Sequence, residues 1–281
     1  MSQNTGLNRN TIDKYYTKKS VVDECLTHIK NNIQINSGDL IIEPSAGNGA
    51  FIDGIKSLTN NYKFYDIEPQ NDEIVQQDYL ELDIQKLDNY KDGMWQSEYI
   101  SFHTIGNPPF GRQSSLAIKF IKKSCEFADS ISFILPKSFK KDSMKKHFAL
   151  CFHLIYEWDL PKNSFLVDEK EYDVPCVFQI WKIRGYSRIV DKIKEPIGFT
   201  FVKKNESPDI SVRRCGVNAG TVDTNYITKN TNSHYFIKLQ NNDETTINML
   251  KKITFTHNNT VGPKSISKPE LIDKYNFALN L

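Results

Sequence analysis

The chain has 281 residues, 39% hydrophobic and 25% charged, with a net charge of +2; this suits one sizeable core, or a large domain with a small companion, and argues against wholesale disorder. Its apolar runs are short, such as Ile131 to Leu135, and the opening MSQNTGLNRNT is polar, so the sequence offers neither a bilayer-spanning helix nor a secretory signal. The five cysteines form no CxxC pair and the six histidines no HExxH pair, which argues against a disulfide framework and a bound metal and points to the cytoplasm or another reducing compartment.

Residues 12–31 are predicted as a helix, with Val21, Val22, Cys25 and Ile29 on one face. Asp39 to Glu43 reads as a short apolar strand. It runs straight into Pro44-Ser45-Ala46-Gly47-Asn48-Gly49, and a helical segment follows from Ala50 to Leu58. Tyr62 to Asp66 reads as a second strand ending on an acid, and Glu73 to Gln76 as a third. Tyr99 to Ile105 is the fourth, followed at once by Gly106-Asn107-Pro108-Pro109-Phe110-Gly111. Next come an amphipathic helix over 114–127, a fifth strand over Ser130 to Leu135 and a basic helix over 137–149. Two more strands are expected over His153 to Trp158 and Pro175 to Ile183. Strands alternating with helices imply an α/β domain with a doubly wound, parallel sheet. Right-handed crossovers place the strand-to-helix turns on one edge, where ligands of such sheets bind. The Gly-rich turn and the Asn-Pro-Pro turn therefore share one rim.

Beyond residue 184 the pattern weakens to short strands (GFTFV, DISVRR, HYFIKL), with helices near 243–252 and 268–278. The expected division is a domain over 11–184 and a small α+β module over 195–281. Charge divides in much the same place. Residues 1–181 carry 20 Lys+Arg against 25 Asp+Glu, and residues 182–281 carry 16 against 9. A basic module of this kind suits a polyanionic partner.

Three carboxylates and two turns carry the chemistry. Gly47 and Gly49 let the backbone turn sharply and leave room for a ligand to touch it. Glu43 at the strand end would repel a pyrophosphate and suits a cationic ligand; S-adenosylmethionine, with its ammonium and sulfonium, fits better than a dinucleotide. Asp66 can accept from both ribose hydroxyls, and Asp78 from an adenine amino group. In Asn107-Pro108-Pro109-Phe110 two prolines stiffen the turn. They aim two acceptors, the Asn107 side-chain oxygen and the Pro108 carbonyl, at one spot. An NH2 group held there is drawn toward a tetrahedral, nucleophilic geometry, while Phe110 offers a face for stacking.

These motifs resemble the class I S-adenosylmethionine-dependent methyltransferases, and more narrowly the adenine-N6 methyltransferases of nucleic acid with an Asn-Pro-Pro-Phe/Tyr signature. Asp13-Lys14-Tyr15-Tyr16-Thr17 is similar to their N-terminal cofactor motif, although Lys18 stands where Pro is common. Glu43 to Phe51, which includes Pro44, Ser45 and Ala46, matches the Gly-rich motif. The resemblance covers residues 11–183. It implies a Rossmann-like, mainly parallel seven-stranded methyltransferase sheet. It implies cofactor contacts from Tyr16, Thr17, Glu43, Gly47, Gly49, Phe51, Asp66, Asp78 and Asn107, and catalysis by Asn107, Pro108, Pro109 and Phe110. It also implies a second aromatic for the base, with Phe165 in place and Tyr172 as its rival.

A base in a duplex must be flipped out to reach such a turn. Arg112, Lys137, Lys140, Lys141, Arg213 and Arg214 are the candidates to grip phosphates. DNA is the commoner association of this motif order, and RNA, including adenosine near a message end, is the alternative acceptor. A protein glutamine side chain presents the same NH2 geometry and is a further alternative. An inactive nucleic-acid-binding subunit is disfavoured by intact Glu43 and Asn107.

Overall fold

The computed structural model describes residues 15–87, 90–91, 94–95, 101–189, 194–255 and 264–279. The chain divides into two units, residues 1–188 and 189–281.

In the first unit the strands are β1 (Tyr16–Thr17), β2 (Leu40–Glu43), β3 (Asn61–Asp66), β4 (Val75–Gln76), β5 (Tyr90–Lys91), β6 (Met94–Trp95), β7 (Phe102–Gly106), β8 (Ser130–Pro136), β9 (Phe152–Asp159), β10 (Phe165–Val167), β11 (Lys170–Tyr172) and β12 (Cys176–Ile183). Its α-helices are α1 (Lys19–Asn32), α2 (Ile52–Lys56), α3 (Ser115–Ser124) and α4 (Asp142–Lys145). Seven strands form the main sheet in the order β4-β3-β2-β7-β8-β12-β9. β2, β3, β4, β7 and β8 run parallel. β12 is reversed and pairs antiparallel with both β8 and β9. This is the Rossmann-like, mainly parallel seven-stranded sheet that the sequence leads one to expect.

Burial explains why the central strands were legible. Every residue of β2 and of β8 is buried, so these strands are apolar almost without alternation, as strands covered on both faces must be. Helix α1 buries Val21, Val22, Cys25, Leu26 and Ile29, a stripe at helical spacing. The core gathers Leu40, Ile42, Ala117, Ile121, Phe133, Leu135, Phe139 and Trp181. Trp181 lies flat against Phe148 at 4.0 Å and 12°.

Two predicted helices are corrected. The first begins at Lys19, not near residue 12: Tyr16 and Thr17 are extended and pair with Leu166 and Phe165, while residues 12–14 lie outside the described residues. Tyr and Thr suit a strand once a partner edge exists. The predicted basic helix over 137–149 is broken into a 3-10 turn over Lys137–Lys140 and the short α4, with Lys141 extended between them (φ −82°, ψ 142°). Phe139 is drawn fully into the core, and like charges four apart (Lys137, Lys141, Lys145) oppose a continuous helix. The hairpin β10–β11 was not foreseen. Its turn residues Asp168 and Glu169 both have positive φ, 48° and 61°, a conformation normally signalled by Asn or Gly.

The second unit is an antiparallel sheet with helices. Its strands β13 (Phe199–Val202), β14 (Ile210–Arg213), β15 (Val222–Asp223) and β16 (His234–Leu239) lie in the order β13-β16-β14-β15. Helices α5 (Glu244–Lys251) and α6 (Lys268–Leu279) contribute Leu250, Leu271, Ile272 and Tyr275 to a core shared with Phe199, Val212 and Ile237. Ser267 and Glu270 open α6 with a reciprocal cap, the Ser267 N–H donating to Glu270 Oε2 at 2.7 Å.

Candidate active site

The ends of β2, β3 and β7 meet one cavity of about 660 Å³, within the range of small-molecule and cofactor sites. Tyr16, Thr17, Glu43, Pro44, Ser45, Ala46, Gly47, Phe51, Asp66, Asp78, Asn107, Pro109 and Arg112 all line it. The two turns predicted to share a rim do so: the Ser45 hydroxyl donates to the Asn107 carbonyl at 3.2 Å. Gly49 is not among the lining residues. It turns the chain, at φ 86°, with its N–H donating to the Ala46 carbonyl at 2.7 Å.

The floor is electrostatically unusual. Glu43 is 2% exposed, and its Oε2 has no hydrogen-bond partner among the described residues. Burial pushes its carboxyl up to about 8, and the Asp66 carboxylate pushes the same way. Such a group is costly as a lone anion and becomes favourable once a cation joins it. Gly106, which the sequence reading passed over, makes room for it. Its φ is 152°, and a Cβ there would lie 3.2 Å from Glu43 Cγ. The signal was present in the glycine directly before Asn107.

Asp66 braces the Gly-rich turn. Its Oδ2 accepts from the Gly47 N–H at 2.8 Å and its Oδ1 from the Glu68 N–H at 2.8 Å, so its position is set by backbone on both sides. The second lone pair of each oxygen is available to a diol. Asp78 caps the 3-10 turn Tyr79–Glu81, accepting from the Leu80 N–H at 2.9 Å. Ile67, 63% exposed, also lines the cavity. An exposed apolar residue directly after the strand-end acid was a usable signal that the sequence reading missed.

Asn107 is held from above. Its Nδ2 donates to the Tyr15 carbonyl at 3.1 Å and to Thr17 Oγ1 at 3.2 Å. Since a carbonyl only accepts, this contact fixes which way the amide faces. Oδ1 is left buried, with no partner among the described residues. Tyr15, a lining residue singled out only as part of a motif, brings its ring beside Phe110 (6.3 Å, 29°) and Tyr172 (5.6 Å, 24°). Pro108 is buried and Phe110 is 8% exposed.

Several predicted polymer contacts sit differently from expectation. Phe165 is fully buried, at 6.1 Å and 60° from the Tyr15 ring, and its rival Tyr172 is half-buried. Lys140 is ion-paired to Asp159 at 2.8 Å and to Glu157 at 3.5 Å, and Lys137 to Asp159 at 3.2 Å. These two cations are therefore offset by carboxylates of β9 rather than bare. Lys141 is the extended, half-buried residue between the two short helical turns. Arg112 is exposed on the cavity wall. Arg213 and Arg214 are exposed in the second unit. There Arg213 Nε donates to the Cys215 carbonyl at 3.1 Å and Arg214 lies over the Tyr235 ring at 5.2 Å.

No family model matches the sequence, and no curated protein is detectably similar to it. Solved structures resemble it in fold. A candidate RNA methyltransferase of Pyrococcus horikoshii is 15% identical, with 63% of this chain and 91% of that one covered and a TM-score of 0.45. The 23S rRNA methyltransferase ErmE is 10% identical over 62% of this chain and 71% of its own, with a TM-score of 0.43. An rRNA methylase of Streptococcus thermophilus is 10% identical over 58% of this chain and 95% of its own, with a TM-score of 0.36.

Proposed function

We propose that this protein is an S-adenosylmethionine-dependent methyltransferase that methylates the exocyclic N6 of adenine in nucleic acid. The observation that carries this reading is a pair of buried acceptors, Glu43 Oε2 and Asn107 Oδ1, without a hydrogen-bond partner among the described residues and on residues lining one cavity. One calls for a cation and the other for an N–H donor.

The residues present fit the cofactor. Glu43 would take its ammonium, gaining the cation that the buried carboxylate lacks. Gly47 leaves the backbone bare where a side chain would approach the Tyr16 ring at 3.4 Å. Asp66 would hold the ribose hydroxyls and Asp78 the adenine end, with Ile67 covering the base. When bound, the cofactor supplies an electrophilic methyl on its sulfonium.

On the acceptor side, Asn107 Oδ1 and the Pro108 carbonyl would accept the two amino hydrogens of the base. This localises the nitrogen lone pair and directs it into the cavity. Phe110 and Tyr172 would flank the ring. A methylated amine sheds its proton readily, so no strong general base is required of the chain.

We favour RNA over DNA as the polymer. A single-stranded base reaches the site without the cost of flipping.

The test is methyl transfer from tritiated S-adenosylmethionine to separate pools of RNA, single-stranded DNA, duplex DNA and protein, with nucleoside analysis. N6-methyladenine in RNA is the expected product. The same product in DNA alone would correct the polymer. Label in protein alone, or in no pool despite measured cofactor binding, would overturn the reading.

A further inference from the structure

We propose that the acceptor base enters the slot between Phe110 and Tyr172, and that the side chain of Tyr15 fills this slot until it does. The inference rests on the methyltransferase reading above and adds a resting state to it.

Tyr15 lies close to parallel with both Phe110 (6.3 Å, 29°) and Tyr172 (5.6 Å, 24°). Both separations belong to offset stacking. Phe165 is a third ring beside Tyr15, fully buried and tilted 60° to it. A planar side chain with two near-parallel rings in stacking range occupies a place that suits a planar heteroaromatic ring. The same residue faces the catalytic amide, because its carbonyl accepts from Asn107 Nδ2 at 3.1 Å. In this state Asn107 Oδ1 is shut away from solvent without a donor among the described residues.

Exchange of Tyr15 for a purine is nearly like for like. Both stacks are kept, and an amino group arrives for the unpartnered Oδ1. The side chain can swing out by rotation about Cα–Cβ while its carbonyl stays on Asn107, so the amide keeps its orientation. The paired backbone of β1 begins one residue later, at Tyr16 and Thr17. A free nucleotide brings one stacking ring and no further grip, whereas a polymer adds phosphate contacts. The plug therefore selects polymer over mononucleotide.

The test uses the full chain with Tyr15→Ala, Tyr15→Leu and Tyr15→Phe, assayed with a short adenine-containing RNA and with adenosine monophosphate. Tyr15→Ala is expected to lower the RNA KM about five-fold and to make the mononucleotide a measurable acceptor, with the cofactor Kd measured alongside. Tyr15→Phe keeps the flat ring, so its RNA KM should stay well above that of Tyr15→Ala and the mononucleotide should remain a poor acceptor. Tyr15→Leu, which keeps bulk without a flat face, should fall between and serves if the alanine variant does not fold. An unchanged or raised RNA KM in the folded Tyr15→Ala and Tyr15→Leu variants, or loss of cofactor binding with them, would overturn the plug and make Tyr15 a packing residue. The wild type is read first: if it transfers methyl to no nucleic acid, the functional reading itself fails, independently of any variant.

Discussion

Replacing Glu43 with Gln should stabilise the protein and disable it together. The carboxyl is 2% exposed and is raised from 4.5 to about 8, chiefly by burial and further by Asp66. The sign follows from proton counting. Between these two values the folded chain holds a proton that the unfolded chain has lost, so stability falls as pH rises from 4.5 and levels off above 8. At roughly 1.4 kcal/mol per unit the full span is about 5 kcal/mol, of which about 3 kcal/mol has been lost by pH 7. Glutamine fills the same volume and does not titrate. Urea unfolding of both proteins from pH 5 to pH 9 should therefore show the variant gaining on the wild type by about 3 kcal/mol between the acid end and neutrality. Two curves running parallel across that range would refute the buried, proton-bearing carboxyl. Cofactor binding adds a second check. The wild type should release close to one proton on binding at pH 7, visible as a dependence of calorimetric heat on the buffer, and the variant none. Loss of the cation's partner should also weaken the variant's binding roughly 30-fold or more.

Asn107→Ala should keep cofactor affinity within a few-fold and lower methyl transfer by roughly 100-fold or more, because it removes an acceptor that matters as the amine reacts; near-normal turnover would remove Asn107 from the mechanism. Gly106→Ala places a Cβ 3.2 Å from Glu43 Cγ at a φ of 152° and should cost about 1–3 kcal/mol in thermal or urea unfolding, with weakened cofactor binding. Lys140→Glu sets a carboxylate against Asp159 and Glu157, and should cost ~1 kcal/mol of stability while leaving the salt dependence of RNA affinity unchanged. Arg112→Glu should reduce that salt slope by about one; the opposite pattern would make Lys140 a phosphate contact after all.

What could be read from the sequence was whatever local residue order decides. β2 and β8 stood out because burial on both faces demands apolar runs, and the Gly-rich and Asn-Pro-Pro turns because their backbone geometry demands those residue types. The unread parts depend on partners distant in the chain. Tyr16 and Thr17 are extended only because Leu166 and Phe165 offer an edge. The hairpin that supplies that edge turns on Asp168 and Glu169 at positive φ, where no Gly or Asn announces it. Phe165 and Tyr172 differ in burial, which one residue's identity does not encode. Lys137 and Lys140 read as a free basic face because Asp159, their partner, lies on another element. Gly106 looked like part of a turn, and its role is visible only once β2 lies beside β7.

The reversed strand β12 has a consequence for how the protein is made. It is the last strand of the main sheet to leave the ribosome, yet it lies inside the sheet, between β8 and β9. Until residues 176–183 emerge, β8 presents a wholly buried-type apolar edge, SISFILP, with its hydrogen-bonding groups unmet. At about 5–20 residues per second, roughly 2–9 s pass between the emergence of β8 and that of its neighbour. For that interval the nascent chain carries a template for self-association in the middle of what will be its core. The catalytic turns, already synthesised, are thus secured by a strand that contributes no lining residue to the cavity.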